Sequence, residues 1–206
     1  RSYQGNFYVQ YVPITKPTVG RIDFLLDICK GRSVLHVGCT DFPVFSTSTN
    51  LHLKLAKVAL KLDCLDADIN GLLEISHHYP SGNYFSNIEA VGSQFYDIVI
   101  VPEVIEHVPN IQLFVQSVTS LNFKEFYITG PYPSGSFNVG SNYMIEDVHP
   151  DHKNWFSPYT LVNVLEQYTD LIVEQVWLEE SAMSVWVKAR KEDTLAQIHA
   201  NLEKHK

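Results

Sequence analysis

Residues 96–101 read Tyr-Asp-Ile-Val-Ile-Val and are followed by Pro102. β-Branched and aromatic side chains favour extended backbone, and Pro102 cannot donate a hydrogen bond to a sheet. An apolar run of this length that ends at a turn residue is typical of a strand. The stretch is therefore predicted to be a strand, and it is the clearest one in the chain.

Short apolar runs on either side of this strand predict the rest of a sheet. Further strands are expected at residues 33–37, 62–65, 83–88, 125–129, 171–178 and 183–189. Helical patterns fill the intervals, at residues 18–30, 51–60, 69–77, 103–107, 111–121 and 157–168. Strands that alternate with helices pair in parallel, but the last two strands have no helix between them. We therefore predict an α/β fold: a doubly wound, mostly parallel, seven-stranded Rossmann-like sheet with helices on both faces and the last strand pair antiparallel.

Length and composition indicate a single globular domain. The chain has 206 residues, of which 45% are hydrophobic and 18% charged, and this is enough for one α/β core. We divide it into an N-terminal arm or lid at 1–17, expected to be irregular, a core at 18–192 and a helical tail at 193–206. The formal net charge is −8, and the few Lys and Arg residues are dispersed. This balance disfavours nucleic acid as a partner.

The cysteines and the apolar runs bear on the cellular compartment. Cys29, Cys39 and Cys64 are odd in number and lack CxxC spacing, so we expect three reduced, inert thiols. No apolar run reaches the length of a membrane span, and no signal peptide is visible. These features predict a cytoplasmic protein. Because the chain begins with Arg1 rather than Met, we expect further residues upstream.

Polar residues follow the first two core strands. Residues 34–41, VLHVGCTD, leave the first of these strands through Gly38. In a doubly wound sheet, ligands bind beyond the C-terminal strand ends, and glycine there lets the backbone approach a cofactor. Asp66 ends the second strand and can accept hydrogen bonds from both hydroxyls of a ribose. Asp68 is the alternative acceptor, or else the N-cap of the next helix.

The segment 95–108, FYDIVIVPEVIEHV, resembles the fourth motif of ubiquinone-type O-methyltransferases. That motif is an Asp that opens an apolar strand, followed by Glu-Val-x-Glu-His. The turn 34–41 is similar to the first motif of class I S-adenosylmethionine-dependent methyltransferases, but departs from it at His36, usually an acid, and at Thr40, usually glycine. The resemblance covers residues 30–135 and implies a methyltransferase fold with S-adenosylmethionine as cofactor. The cofactor-binding residues that it implies are His36, Gly38, Cys39, Thr40, Asp66, Asn87, Ile88 and Pro102.

Glu103, Glu106 and His107 have the spacing i, i+3, i+4, which places side chains on one face of a helix. Together with Asp-His-Lys at 151–153, they resemble the metal-dependent methyltransferases that modify the terminal ribose of small RNAs. That resemblance implies a divalent metal (Mg, Mn, Fe or Zn) held by Glu103, Glu106, His107 and His152, with His149 as an alternative ligand. Without a metal, His107 would be a general base and Glu103 would position cofactor or substrate. These two residues are therefore the catalytic candidates.

The expected activity is O-methylation of a hydroxyl of a sugar, glycan or other polyhydroxylated small molecule. A metal suits vicinal hydroxyls, the acidic chain disfavours RNA, and residues 36–41, HVGCTD, look similar to methyltransferases of bacterial surface glycans. The arm and the segment 131–155 would form the lid and acceptor pocket through Tyr3, Phe7, Tyr8, Tyr11, Tyr132, Phe137, Tyr143 and Trp155. The alternatives are an RNA 3′ end, a phenolic or quinone-like acceptor, and an inactive methyltransferase-like binding module. The departures in the first motif are the reason to keep the inactive module, whereas Asp66 and the Glu-Val-Ile-Glu-His run argue against it.

Overall fold

The computed structural model describes residues 2–4, 7–41, 46–132, 149–179 and 184–191. The strands are β1 (Ser2–Gln4), β2 (Phe7–Val9), β3 (Ile14–Thr15), β4 (Ser33–Val37), β5 (Lys61–Leu65), β6 (Tyr84–Phe85), β7 (Phe95–Pro102), β8 (Asn122–Pro131), β9 (Leu171–Glu179) and β10 (Ser184–Lys191). The helices are α1 (Arg21–Cys29), α2 (Leu51–Leu55), α3 (Ile69–His78), α4 (Ile111–Thr119) and α5 (Pro158–Tyr168), with a 3-10 turn at Glu89–Val91. The predicted tail helix at 193–206 lies outside the described residues.

The main sheet has the strand order β3-β9-β10-β8-β7-β4-β5-β6. The β4, β5, β6, β7 and β8 strands pair in parallel, and β10 runs antiparallel to both β8 and β9. The predicted α/β class, the mostly parallel sheet and the antiparallel last pair are therefore confirmed. From β4, the chain builds outward to β5 on one side and later to β7 on the other. The C-terminal ends of β4 and its neighbours β5 and β7 are thus the topological switch point, where sheets of this kind bind ligands.

The prediction of seven strands is wrong, because the sheet of the described residues has eight. The additional strand lies in the segment 1–17, which we expected to be irregular and which instead contains three short strands. Ile14 and Thr15 pair in parallel with Val176 and Trp177 of β9. Two residues are too few to show a periodic pattern, and the open edge of β9 supplies the pairing.

Alternate residues of the central strands enter two separate hydrophobic clusters. Leu35 and Val99 belong to a cluster that includes side chains of α4 and α5. Val34 and Ile98 belong to a cluster that includes side chains of α1 and α2. Since successive strand residues point to opposite faces, the two clusters lie on opposite sides of the sheet and fix β4 and β7 rigidly between them.

Two further predictions are wrong. Residues 103–107 form a turn instead of a helix, because Glu103 has φ 52°, in the left-handed region that no α-helix contains. Cys39 and Cys64 form a disulfide with Cα atoms 6.0 Å apart, where we expected reduced thiols. Their side chains are brought together by β4 and β5, a long-range pairing that the sequence spacing does not reveal. Cys29 is a free, buried cysteine as expected.

None of the helices in the described ranges has the length and hydropathy that a bilayer crossing requires.

Candidate functional site

A cleft of about 940 Å³ lies beyond the C-terminal ends of β4, β5 and β7. It stands at the switch point of the sheet, where the fold predicts a ligand site. Its lining includes residues from the first turn, the end of β5 and the turn after β7: His36, Gly38, Thr40, Asp41, Asp66, Asp68, Pro102, Glu103, Val104 and His107. Arg21, His149 and Asp151 line it from elsewhere in the chain. Most of the predicted cofactor and catalytic residues therefore share one cavity.

The turn after β4 requires its glycine. Gly38 has φ 77°, and a Cβ atom there would overlap the side chain of Val104. Its amide donates to the carbonyl of Leu65 at 2.9 Å, which joins the turn to the end of β5. The turn is closed further along by Asn50, whose amide group donates to the carbonyl of Cys39 at 3.1 Å. Gly38 therefore lets the turn pack closely against Val104 at the lining of the cleft.

Asp66 joins the same turn to the segment after β5. Its Oδ2 accepts from the backbone amide of Thr40 at 3.1 Å and from the Thr40 hydroxyl at 3.0 Å, and its Oδ1 accepts from the amide of Asp68 at 2.9 Å. Each carboxylate oxygen can accept more than one hydrogen bond, so Asp66 retains acceptor capacity toward the cleft. Asp68 caps α3 by accepting from the amide of Asn70 at 3.1 Å, the alternative role that we considered for it.

His36 lies at the bottom of the cleft and contacts a second buried histidine. Its Nδ1 is 3.3 Å from Nδ1 of His52, and the two rings stack with centroids 5.4 Å apart. Burial lowers the pKa of His36 well below its ordinary value, and the neighbouring His52 lowers it further. Burial likewise lowers the pKa of His52 to about 4. Both rings are therefore neutral at physiological pH, so one Nδ1 donates to the other.

Glu103 is held by polar side chains from three other elements. Its Oε1 accepts from the Thr129 hydroxyl at 2.7 Å and the Ser184 hydroxyl at 3.0 Å, and pairs with Arg21 at 2.6 Å. Its amide donates to the carbonyl of Thr129 at 3.1 Å. Strained backbone at such a position persists only when surrounding contacts fix it. These contacts fix the position of the Glu103 carboxylate at the edge of the cleft.

Glu106 has the opposite surroundings. Its side chain is buried, and neither of its carboxylate oxygens has a hydrogen-bond partner among the described residues. Burial, reinforced by the nearby Glu103 carboxylate, raises the pKa of Glu106 to about 8. A buried acid without partners is costly, and such a group at a cleft is a candidate for binding a ligand or an ion.

Three histidines gather beside Glu106. A ring nitrogen from each of His107, His149 and His152 lies within 4.8 Å of the others. Nε2 of His107 is 3.8 Å from Glu106 Oε1, and Nε2 of His152 is 4.0 Å from the same oxygen. Nδ1 of His107 is 3.0 Å from Asp151 Oδ2, an arrangement that orients the ring and leaves Nε2 free to bind. The turn thus brings together Glu106 and His107, which a helix was expected to align, and His152 joins them from the later segment.

His149 fits a ligand role less well than His152. Its Nδ1 accepts a hydrogen bond from the amide of Asp151 at 3.2 Å. A neutral ring that accepts at Nδ1 carries its proton on Nε2, so neither nitrogen offers a free lone pair in this arrangement. Burial and the neighbouring histidines lower the pKa of His152, which keeps that ring neutral.

The remaining predicted residues lie away from the cleft or outside the described part. Cys39 is buried in the disulfide behind the first turn. Asn87 and Ile88 are not among the described residues that line the cleft, and the Asn87 side chain accepts instead from the amide of Ala90 at 3.0 Å. Of the predicted lid and acceptor residues, Tyr11 is 84% exposed and Trp155 is 37% exposed. The side chains that lie outside the described part are Tyr3, Phe7, Tyr8, Phe137 and Tyr143.

The sequence did not predict the residues that contact Glu103. Arg21, Thr129 and Ser184 come from α1, β8 and β10 and contact Glu103 across long stretches of chain. No local pattern marks them. Asp151 was a different case, because it stands between the two histidines of residues 149–152 and its carboxylate could have been proposed as a partner of His107.

Comparisons with known proteins found solved structures with a similar fold. Neither the protein-family models nor the curated protein sequences match this chain. Among solved structures, an S-adenosylmethionine-dependent methyltransferase from Aquifex aeolicus is 14% identical, with a TM-score of 0.60 over 82% of this chain and 88% of its own. Magnesium protoporphyrin IX methyltransferase from Synechocystis PCC 6803, with bound S-adenosylhomocysteine, is 13% identical, with a TM-score of 0.59 over 83% of this chain and 81% of its own.

The small RNA methyltransferase HEN1 is 18% identical, with a TM-score of 0.63 over 84% of this chain and 25% of its own. At such identities the likeness concerns architecture, and all three structures share it. The chain therefore has the Rossmann-like α/β fold of S-adenosylmethionine-dependent methyltransferases.

Proposed function

We propose that this protein is an S-adenosylmethionine-dependent O-methyltransferase that acts on a hydroxyl of a sugar, glycan or other polyhydroxylated small molecule. One observation carries the proposal: a single cleft at the switch point is lined by both Asp66 and His107. The first suits the ribose of a nucleoside cofactor, and the second suits activation of an acceptor. A cleft that combines both can hold donor and acceptor next to each other.

The residues of the cleft fit the cofactor. Gly38 lets the backbone of the first turn approach a ligand, and Asp66 offers carboxylate oxygens from a position fixed by Thr40. Pro102 lies at the end of β7 on the same lining. When bound, S-adenosylmethionine would supply an electrophilic methyl group. The chain's task is then to orient that group, through Asp66 at the ribose, toward an acceptor near His107.

The residues next to the cleft also fit a divalent cation. The buried Glu106 carboxylate lacks partners among the described residues, and Nε2 of His107 and of His152 faces it at 3.8 and 4.0 Å. We assign Glu106, His107 and His152 as the residues that would hold the ion, with Glu103 beside them and His149 as the alternative. Carboxylate and imidazole ligands suit Mg, Mn, Fe or Zn. A bound cation lowers the pKa of a coordinated hydroxyl.

The acceptor class follows from that chemistry and from charge. A cation site favours neighbouring hydroxyls, as in sugars. An RNA 3′ end presents the same pair of hydroxyls, and HEN1 is a small RNA methyltransferase. The formal net charge of −8 favours a neutral acceptor over a polyanion. We therefore place the sugar first and RNA second.

Calorimetric titration with S-adenosylhomocysteine tests cofactor binding. We expect binding by the native chain and a loss of at least about tenfold in affinity for Asp66→Ala. Asp23→Ala, an exposed acid of α1, is the matched control and should bind normally. Asp68→Ala separates the two ribose candidates. A chain that binds no S-adenosylhomocysteine under any condition is an inactive binding module, and the proposed activity is then wrong.

Titration of chelator-treated protein with Mn²⁺ tests the cation site. We expect His107→Ala and His152→Ala to weaken Mn²⁺ binding at least tenfold, whereas His77→Ala, an exposed histidine at the end of α3, should leave it unchanged. Transfer of labelled methyl from S-adenosylmethionine to methyl glycosides, against a short RNA, distinguishes the acceptors. Transfer to RNA alone would overturn the sugar assignment.

A further inference from the structure

A second cluster of candidate ligand atoms is buried next to the turn that follows β4, and it is separate from the histidines of the cleft. Cys39 follows β4, Cys64 lies in β5 and His52 lies in α2, and all three residues are buried. The two sulfur atoms and one ring nitrogen of His52 lie within 4.8 Å of one another. Three separate elements therefore converge on two sulfurs and an imidazole.

The disulfide leaves this cluster incompletely satisfied. Nε2 of His36 and Nε2 of His52 are buried and lack hydrogen-bond partners among the described residues. Buried polar atoms without partners are rare in native proteins and call for an explanation. Since the Nδ1 atoms of the two neutral rings share one proton, one of the Nε2 atoms carries a hydrogen and the other is a bare lone pair.

A metal-binding histidine shows this pattern. Such a ring binds the ion through one nitrogen and donates a hydrogen bond from the other, which fixes its tautomer. If His52 donates from Nδ1 to His36, its Nε2 becomes a free ligand. The Nε2 of His36, a residue that lines the cleft, then carries the proton.

We propose that, in the reduced protein, Cys39, Cys64 and His52 bind a zinc ion. Tetrahedral zinc prefers thiolate and imidazole ligands, with sulfur at about 2.3 Å and nitrogen at about 2.0 Å. A Cα separation of 6.0 Å between the cysteines lets two thiolates reach one ion as well as it lets them form a disulfide. The fourth ligand is a water molecule or a further side chain.

The charge and the surroundings fit a structural ion. Two thiolates and one divalent cation sum to zero charge, which suits a buried site. Leu72 and Ile75 of α3 pack with both cysteines, and Leu53 and Tyr84 lie against them. This apolar shell limits the access of bulk solvent and of competing ligands. The ion would join β4, β5 and α2 behind the cofactor turn.

Reduction precedes zinc binding, and the step balances as follows. A dithiol or phosphine reductant supplies two electrons, the sulfur–sulfur bond breaks, and two protons give two thiols. Zinc then replaces those two protons and forms two zinc–sulfur bonds. The disulfide and the zinc site are thus alternative states of the same two cysteines, and the proposal is independent of any methyltransferase activity.

Cobalt substitution tests the site directly. The full chain, reduced with a phosphine and freed of metal, is titrated with Co²⁺ and then Zn²⁺. We expect a thiolate-to-cobalt charge-transfer absorption that saturates at one equivalent and is displaced by zinc. It should be lost in Cys64→Ser and weakened in His52→Gln. Cys29→Ser and His107→Ala are the controls and should keep it, because neither removes a ligand of this cluster.

The result that overturns the proposal is a folded, reduced chain without this absorption, or one whose absorption survives in Cys64→Ser. Thiol alkylation of the reduced chain of native sequence gives a second answer if Cys64→Ser does not fold. Zinc should slow alkylation of Cys39 and Cys64 at least tenfold and leave Cys29 unaffected. Equal alkylation rates with and without zinc would also overturn it.

Discussion

Glu103 and Glu106 are three residues apart, yet their carboxylates have very different surroundings. The first pairs with Arg21 at 2.6 Å, whereas the second is buried without a hydrogen-bond partner among the described residues. The left-handed backbone at Glu103 produces this difference, because it directs one side chain toward β8 and β10 and turns the next residues inward. Two residues of the same type therefore have different environments: Glu103 is fixed by an ion pair, and Glu106 is buried with a raised pKa.

The raised pKa of Glu106 predicts a dependence of stability on pH. Because the folded-state pKa of about 8 lies above the ordinary value of 4.5, the folded state holds the proton more tightly, and the free energy of unfolding falls as pH rises between these values. In chelator-treated protein, Glu106→Gln should therefore gain stability relative to the native chain from about pH 5 to 8, by about 1.4 kcal/mol or less per pH unit. Urea unfolding at several pH values checks this. A stability difference that stays constant with pH would contradict it.

Gly38 and Gly31 form a matched pair for measuring how closely the turn after β4 packs against its neighbours. Both have left-handed backbone, with φ 77° and 70°, but only at Gly38 would a Cβ meet a neighbour, Val104. Gly31→Ala should cost about 1 kcal/mol from backbone strain alone. Gly38→Ala should cost at least about 2 kcal/mol more. Denaturant unfolding measures both, and equal losses would show that the turn has room for a side chain.

At the level of residues, the sequence allowed prediction of those candidate site residues that lie together in one short segment. Gly38, Asp66 and the Glu-Val-Ile-Glu-His run follow strands, and strand ends converge at one edge of the sheet, so their chemistry could be predicted. Arg21, Thr129 and Ser184 could not, since their contact with Glu103 is created only by the folding of distant elements.

At the level of elements, strand β7 and helix α5 carried strong local signals. The apolar run of β7 and the Ser157-Pro158 start of α5 matched the structure closely, and the α5 N-terminus is a complete capping box between Ser157 and Thr160. The prediction of a helix at 103–107 was wrong, because the spacing of side chains over five residues does not indicate the positive φ angle of Glu103. The predicted helix at 51–60 shortened to Leu51–Leu55 for a similar reason, as short apolar runs do not define where a helix ends.

The capping box predicts a local loss of stability. Ser157 accepts from the amide of Thr160 at 3.2 Å, and Thr160 accepts from the amide of Ser157 at 2.8 Å. Ser157→Ala removes one of these bonds and should lower the free energy of unfolding by about 1 kcal/mol. Ser76→Ala, within α3, is the control and should change it by less than about 0.5 kcal/mol. A thermal or urea unfolding curve of Ser157→Ala that matches the control would exclude a capping role.

At the level of the whole molecule, the sequence predicted the class and direction of the sheet, and the long-range pairings could not be read from it. The alternation of strands and helices dictates a parallel sheet. The contact between Ile14 and Val176 and the bond between Cys39 and Cys64 depend on which strands become neighbours. No motif or periodicity encodes that choice.

The disulfide predicts a global response to reductant. It closes a loop between residues 25 positions apart, and such a cross-link stabilises a fold by about 3 kcal/mol through the unfolded chain. In the absence of metal, a phosphine reductant should lower the free energy of unfolding by about this amount. Cys64→Ala should already lack that stability and show no further response. A reductant effect of equal size in that variant would assign the change to something else.

The pairing of β3 with β9 has a consequence for how copies of this chain behave toward one another. A nine-residue strand at the border of a sheet offers unpaired amides and carbonyls as a template for other chains. Ile14 and Thr15 cover that border at Val176 and Trp177, and charged residues such as Glu174 and Glu179 flank the covered part. The short strand β3 thus occupies part of an edge that could otherwise pair with another copy of the chain, and this role is unrelated to catalysis. Removal of the first fifteen residues would expose that border to self-association.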